Sequence, residues 1–118
     1  MNLCFDIYHE DDKVGHIEIL NDKLIKNEVY TENPLLTLFP ASTPLFNILS
    51  ILDDRVIGAD RYTPEIAKLF QMPEYNKYKL LRLTHGVNVD DFIWLKFKED
   101  EPSLTWKEIR NAQLRIRW

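Results

Sequence analysis

The sequence predicts an α+β fold in one domain over residues 1–118: an antiparallel N-terminal β-meander, a three-helix middle, a buried strand, and a short C-terminal helix and strand. Three observations lead there. Apolar residues alternate with period two near the N-terminus, the dipeptide Thr-Pro occurs twice just before runs of helical spacing, and an aromatic, branched run follows late in the chain.

Leu3, Phe5 and Ile7 share one face of the opening segment, with Cys4, Asp6 and Tyr8 on the other. The charged run of residues 9–13 breaks this pattern and reads as a solvent loop leading to a second strand that carries Val14, Ile17, Ile19 and Leu20. A third strand over residues 24–30 completes the meander. Three prolines limit regular structure over residues 33–44, so Leu35, Leu36, Leu38 and Phe39 are expected to lie over the core as an irregular connection.

Thr43-Pro44 reads as N-cap and first helical position, followed by Leu45, Ile48, Leu49 and Leu52. Thr63-Pro64 repeats the device ahead of Ile66, Ala67, Leu69 and Phe70. A third helix is expected from Pro73 or Glu74 to His85-Gly86, where glycine supplies the left-handed C-terminal conformation. Residues 92–97 read as the central strand, buried on both faces. Thr105-Trp106-Lys107-Glu108 has the form of a capping box, with Leu104 and Ile109 as its hydrophobic staple. Leu114, Ile116 and Trp118 alternate with Gln113, Arg115 and Arg117 as a terminal strand.

A chain of 118 residues with 45% hydrophobic and 29% charged residues has a globular balance. Its apolar runs fall far short of a membrane span, and its N-terminus lacks the pattern of a signal peptide, so a cytoplasmic location and no membrane partner are expected. Cys4 is the one cysteine and is read as a small core residue on a strand. Residues 1–60 carry four Lys and Arg against eleven Asp and Glu, a net −7; residues 61–118 carry eleven against eight, a net +3. The acidic half would repel nucleic acid or attract a basic partner, whereas Lys107, Arg110, Arg115 and Arg117 could touch phosphate.

No catalytic, cofactor-binding or metal-ligating residue is expected. His9, His16 and His85 sit in no nucleophile motif, and His9 with its acidic neighbours reads as a turn, because adjacent residues in a tight loop rarely converge on one ion. Asp53-Asp54 and Asp90-Asp91 read as turn and capping residues, and the three glycines build no phosphate loop. Arg55 and Arg61 flank Gly58, either as an anion-binding loop or in salt bridges to Asp53, Asp54 or Asp60. Trp94 reads as core and Trp118 as an interface residue. The candidate partner-binding residues are therefore Arg55, Arg61, Lys107, Arg115, Arg117 and Trp118.

Residues 55–61 (Arg-Val-Ile-Gly-Ala-Asp-Arg), 86–94 (Gly-Val-Asn-Val-Asp-Asp-Phe-Ile-Trp) and 104–109 (Leu-Thr-Trp-Lys-Glu-Ile) resemble, in order and spacing, the region ahead of the kinase domain in bacterial HipA-like serine/threonine kinases. Similar segments there run Arg-x-Ile-Pro-x-x-Arg, Gly-Leu-Ser-Leu-x-Asp-x-Tyr-Trp and Leu-x-Trp-x-Asp-Ile. This chain departs at Gly58, where the family tends to have proline, and at Phe92-Ile93, which replaces a polar-aromatic pair. The catalytic and ATP-binding segments have no counterpart here, so no catalytic residue carries over. The resemblance implies a free-standing relative of an accessory domain, in a family tied to toxin–antitoxin systems and mobile elements.

The expected function is accordingly that of a non-enzymatic regulator that binds a protein, such as a HipA-like kinase toxin. The alternatives are a phage or mobile-element inhibitor of a host defence nuclease, of the anti-CRISPR kind, and a nucleic-acid binder using the basic tail, against which the acidic pI of about 5.3 weighs.

Overall fold

The computed structural model describes residues 1–88 and 90–112. The expected terminal strand, with Arg115, Arg117 and Trp118, lies outside the described residues, as does Val89.

Four antiparallel strands form one sheet among the described residues: β1 (Leu3–His9), β2 (Asp12–Leu20), β3 (Lys23–Val29) and β4 (Ile93–Phe97), in the order β3-β2-β1-β4. Between β3 and β4 the chain makes α1 (Leu45–Asp53), α2 (Pro64–Leu69) and α3 (Lys77–Thr84), with short 3-10 turns at Pro34–Leu36 and Ala59–Arg61; α4 (Trp106–Asn111) follows β4. The expected α+β class is observed. The radius of gyration of 14.0 Å is close to the roughly 13.5 Å of a compact chain this long.

Alternation puts Leu3, Phe5, Ile7, Ile17, Ile19, Ile93, Leu95 and Phe97 on the inner face of the sheet, where they pack with Phe39, Ile48, Leu52, Val56 and Leu81. Val14 joins them although its position has the opposite parity to Ile17. The reason is a β-bulge: Tyr8 pairs with Lys13 but Ile7 with Gly15, so Val14 is an extra residue and the phase of β2 changes there. A second register shift lies opposite Ile19, which pairs with Leu24 while Glu18 pairs with Lys26; Ile25 falls between and is exposed.

The outer face is divided. At one end Tyr8 stacks on Trp94, and α4 covers them with Trp106 and Ile109, joined by Val87 and Leu104. Over the other end, with Cys4, Asp6, His16 and Glu18, no helix lies among the described residues. A third cluster, Ile57, Met72 and Leu80, sits among the helices, where Tyr62 and Tyr75 pack edge to face and donate their hydroxyls to the carbonyls of Met72 and Ile57.

Several expectations need correction. The 92–97 segment is buried on both faces, yet β4 is an edge strand and not the central one: its burial comes from the core on one side and α4 on the other. Cys4 is half-buried on the outer face instead of in the core. The turn at Glu10 and Asp11 is not merely a solvent loop. Asp11 Oδ1 accepts the N–H of Trp106 at 3.0 Å, and the carbonyl of Glu10 accepts the indole N–H of Trp94 at 2.6 Å. Leu20, Leu35 and Leu69 are exposed, because the chain turns their side chains away from the clusters that hold their neighbours.

The helix starts divide. Thr63 caps α2 as expected, accepting the N–H of Ile66. At α1 the N-cap is Pro44, while the Thr43 hydroxyl donates to the Pro40 carbonyl. The third helix begins later than expected, at Lys77, because Asn76 accepts the N–H of Lys79 and caps it there. Around the start of α4 the capping-box arrangement forms, with Glu108 Oε2 accepting the N–H of Thr105 at 3.2 Å.

At the end of α3 both His85 and Gly86 have positive φ, 55° and 61°. A Cβ on Gly86 would lie 2.9 Å from Leu95 Cδ1 and 3.3 Å from Leu81 Cδ1. Gly86→Ala therefore combines left-handed strain with overpacking, and is expected to destabilise the fold by about 2–3 kcal/mol in urea denaturation. A change below about 0.5 kcal/mol would show that the close approach is not needed.

Candidate functional site

Two features stand out beyond the core: an open polar cleft on the outer sheet face, and a contrast between the two sheet edges.

The cleft arises from the register. Cys4 is paired with Glu18, and Asp6 with His16, so two adjacent cross-strand pairs present four polar side chains on one face. His16 is clamped between carboxylates, its Nδ1 2.6 Å from Asp6 Oδ1 and its Nε2 2.8 Å from Glu18 Oε2. A neutral imidazole has one N–H, so only the imidazolium donates to both at once. Lys13 lies 3.2 Å from Asp6, and Lys26 lies 3.7 Å from Glu18. Cys4, Asp6 and His16 line an open cleft of about 310 Å³ whose far wall is built by Lys96, Asp100 and Pro102. The Lys96 ammonium is tied into that wall, donating to the carbonyls of Pro102 at 2.6 Å and Leu104 at 3.3 Å.

Charge in the cleft follows from these contacts. The hydrogen bond from His16, aided by Lys26, lowers the pKa of Glu18 below the ordinary glutamate range. Burial, and then the Glu18 carboxylate, push the Cys4 thiol up. A thiol raised in this way is less nucleophilic at neutral pH than an ordinary cysteine.

The edges differ in their backbone groups. On β4 the outward-facing groups of Ile93, Leu95 and Phe97 are all satisfied. Ile93 N–H donates to Asp91 Oδ1 and its carbonyl accepts from Arg55. Leu95 N–H donates to the His85 carbonyl, and its own carbonyl lies 3.1 Å from His85 Nδ1. Phe97 N–H donates to Asp100 Oδ2 and its carbonyl accepts the N–H of Asp100. Beyond β3, in contrast, no strand lies among the described residues. Among the described residues, five of the eight large apolar side chains left exposed fall between Leu20 and Phe46: Leu20, Ile25, Tyr30, Leu35 and Phe46. Of these five, Ile25 lies on β3, Leu20 and Tyr30 lie close to its two ends in sequence, and Phe46 lies on α1.

The candidate partner-binding residues do not form one site. Arg55 is only 4% exposed. Its Nε donates to the Gly86 carbonyl at 2.6 Å, its terminal nitrogens grip Asp91 at 2.9 and 3.0 Å, and one also reaches the Ile93 carbonyl at 3.0 Å. These internal partners replace both the expected anion loop and the expected pairing with Asp53, Asp54 or Asp60. Arg61 is exposed on the 3-10 turn between α1 and α2, and Lys107 is exposed on α4. Arg115, Arg117 and Trp118 lie outside the described residues.

The polar square on β1 and β2 was missed because an unbulged two-residue hairpin would put His16 opposite Phe5. The clue was the parity change between Val14 and Ile17, which requires one extra residue if both are to face the core.

Comparison with protein-family models, curated proteins and solved structures finds no match to this chain.

Because folding lowers the Glu18 pKa, its interaction with His16 stabilises the fold above the ordinary glutamate value and is lost as pH falls through the depressed one. In His16→Gln, the Glu18 carboxyl followed by NMR should titrate at higher pH than in the parent. An unchanged titration would assign the lowering to another group.

Proposed function

We propose that this protein is a non-enzymatic, cytoplasmic regulator that works by binding another protein, whose extended segment it accepts along the open edge of β3. The observation that carries this reading is the difference between the edges. The backbone of β4 is closed by Asp91, Arg55, His85 and Asp100, whereas among the described residues β3 ends the sheet, with Ile25 exposed. An added strand gains main-chain hydrogen bonds from such an edge and specificity from alternate side chains. Lys23, Lys26 and Glu28 on β3 discourage indiscriminate pairing with other chains, as charges on natural edge strands do. The net charge of −7 over the first sixty residues favours a partner with a basic surface.

The resemblance of three segments to the region preceding HipA-like kinase domains supports a kinase toxin as the regulated partner, with a host defence nuclease as the alternative. Those segments meet through internal contacts: Arg55 reaches Gly86, Asp91 and Ile93, while Trp94 packs with Trp106. These contacts support a scaffold role for those segments, with the β3 edge as the surface offered to a partner.

Affinity purification from the native host, with hydrogen exchange on the recovered complex, tests the reading. The expected result is one protein partner, new protection of amides in residues 23–29, and at least tenfold weaker binding by Ile25→Glu combined with Leu35→Glu. Protection elsewhere with unchanged binding by that variant would rule out the β3 edge, and retention of nucleic acid alone would favour the nucleic-acid reading.

A further inference from the structure

The square of Cys4, Asp6, His16 and Glu18 has a use that protein binding does not require. The thiol sulfur, one imidazole nitrogen and a carboxylate oxygen from Cys4, His16 and Glu18 lie within 4.8 Å of one another, and all three residues are partly exposed, Cys4 and His16 lining the outer-face cleft. A tetrahedral zinc ion, with bonds of about 2.0–2.3 Å, separates its donors by roughly 3.3–3.7 Å. Only small side-chain movements would bring these three donors to that spacing. They come from paired strands, Cys4 facing Glu18 and His16 one pleat along, so the sheet holds their spacing without a loop. The strands provide a more rigid platform than adjacent residues in a turn.

We propose that this is a binding site for a zinc-class divalent ion, with Cys4 Sγ, His16 Nε2 and a Glu18 carboxylate oxygen as ligands and water at an open fourth position. Thiolate and imidazole select such an ion over magnesium or calcium, which take oxygen ligands. Asp6 completes the site without touching the metal. Its Oδ1, 2.6 Å from His16 Nδ1, accepts that N–H and leaves Nε2 as the ligating nitrogen, the carboxylate–histidine support common at zinc sites. Nε2 already faces Glu18 Oε2 at 2.8 Å, so the ion takes the place of the shared proton between two groups that converge. Binding releases that proton and the thiol proton to solvent. The nearby lysines do not close the site: Lys13 pairs with the supporting Asp6, and Lys26, 3.7 Å from Glu18 and more than half exposed, can turn outward.

The experiment titrates the purified full chain with zinc by calorimetry and with cobalt by absorption. One ion per chain is expected at micromolar affinity or tighter, with a thiolate-to-cobalt charge-transfer band. Cys4→Ser should abolish the band. His16→Gln and Glu18→Gln should each weaken binding at least tenfold, and Asp6→Asn should weaken it less. His9→Gln, outside the site, should bind as the parent does. Circular dichroism of each metal-free variant separates lost ligation from lost folding, and Glu18→Gln, altering a partly exposed side chain, keeps the test open should Cys4→Ser unfold. Absence of binding, absence of the charge-transfer band in the parent, or affinity lowered by His9→Gln but not by His16→Gln would overturn the proposal.

Discussion

The buried guanidinium of Arg55 is the constraint on which the other features depend. It sits just past the C-terminal end of α1 and holds three parts of the following chain at once: the Gly86 carbonyl, the Asp91 carboxylate and the Ile93 carbonyl. Burying a charge costs several kcal/mol unless it is paired and its donors are met. Here the planar fork meets one carboxylate with two nitrogens and two carbonyls besides. Lysine could carry the charge but not the geometry, since its ammonium lacks the fixed pair of donors that grips a carboxylate. The clamp sets where the chain leaves α3, and so where β4 enters the sheet.

The asymmetry of the molecule follows from that placement. Once the α3–β4 connection lies against β4, His85 covers Leu95, and the edge is completed by Asp91 and Asp100. Trp94 then points to the outer face, where the Glu10–Asp11 turn and α4 meet it: the turn accepts its indole N–H and also the first N–H of α4. Apolar packing covers one end of the outer face and leaves the other to Cys4, Asp6, His16 and Glu18. Among the described residues the molecule thus has a sealed edge at β4, an edge at β3 with no further strand beside it, and a half-covered outer face. The two inferences about function use different surfaces, β3 for a protein partner and the polar square for an ion, so each can stand without the other.

Much of the fold was legible in local chemistry. Leu3, Phe5 and Ile7 announce a half-buried strand, Thr63-Pro64 a helix start, and Thr105 with Glu108 a capped turn, because each signal depends on residues close in sequence. What escaped depends on distant pairings. The edge position of β4 cannot be read from its burial, since a helix on one face and a core on the other bury an edge strand as fully as neighbours bury a central one. Arg55 looked like a surface cation because its partners lie more than thirty residues downstream. The four-residue polar square depended on a one-residue bulge at Val14, whose only trace in the sequence is a change of parity. Cys4, read as core by residue type, belongs to the other face by alternation, which is the stronger argument in a strand.

The most direct measurement is the unfolding free energy of Arg55→Lys and Arg55→Met in urea, each set beside the parent protein. With Asp91 and two carbonyls left short of donors, both variants should lose about 3–5 kcal/mol, and lysine should recover little of it despite keeping the charge. If Arg55→Met stays within about 0.5 kcal/mol of the parent, or if Arg55→Lys restores full stability, the fork is not what holds β4 in place and the account of the sealed edge fails.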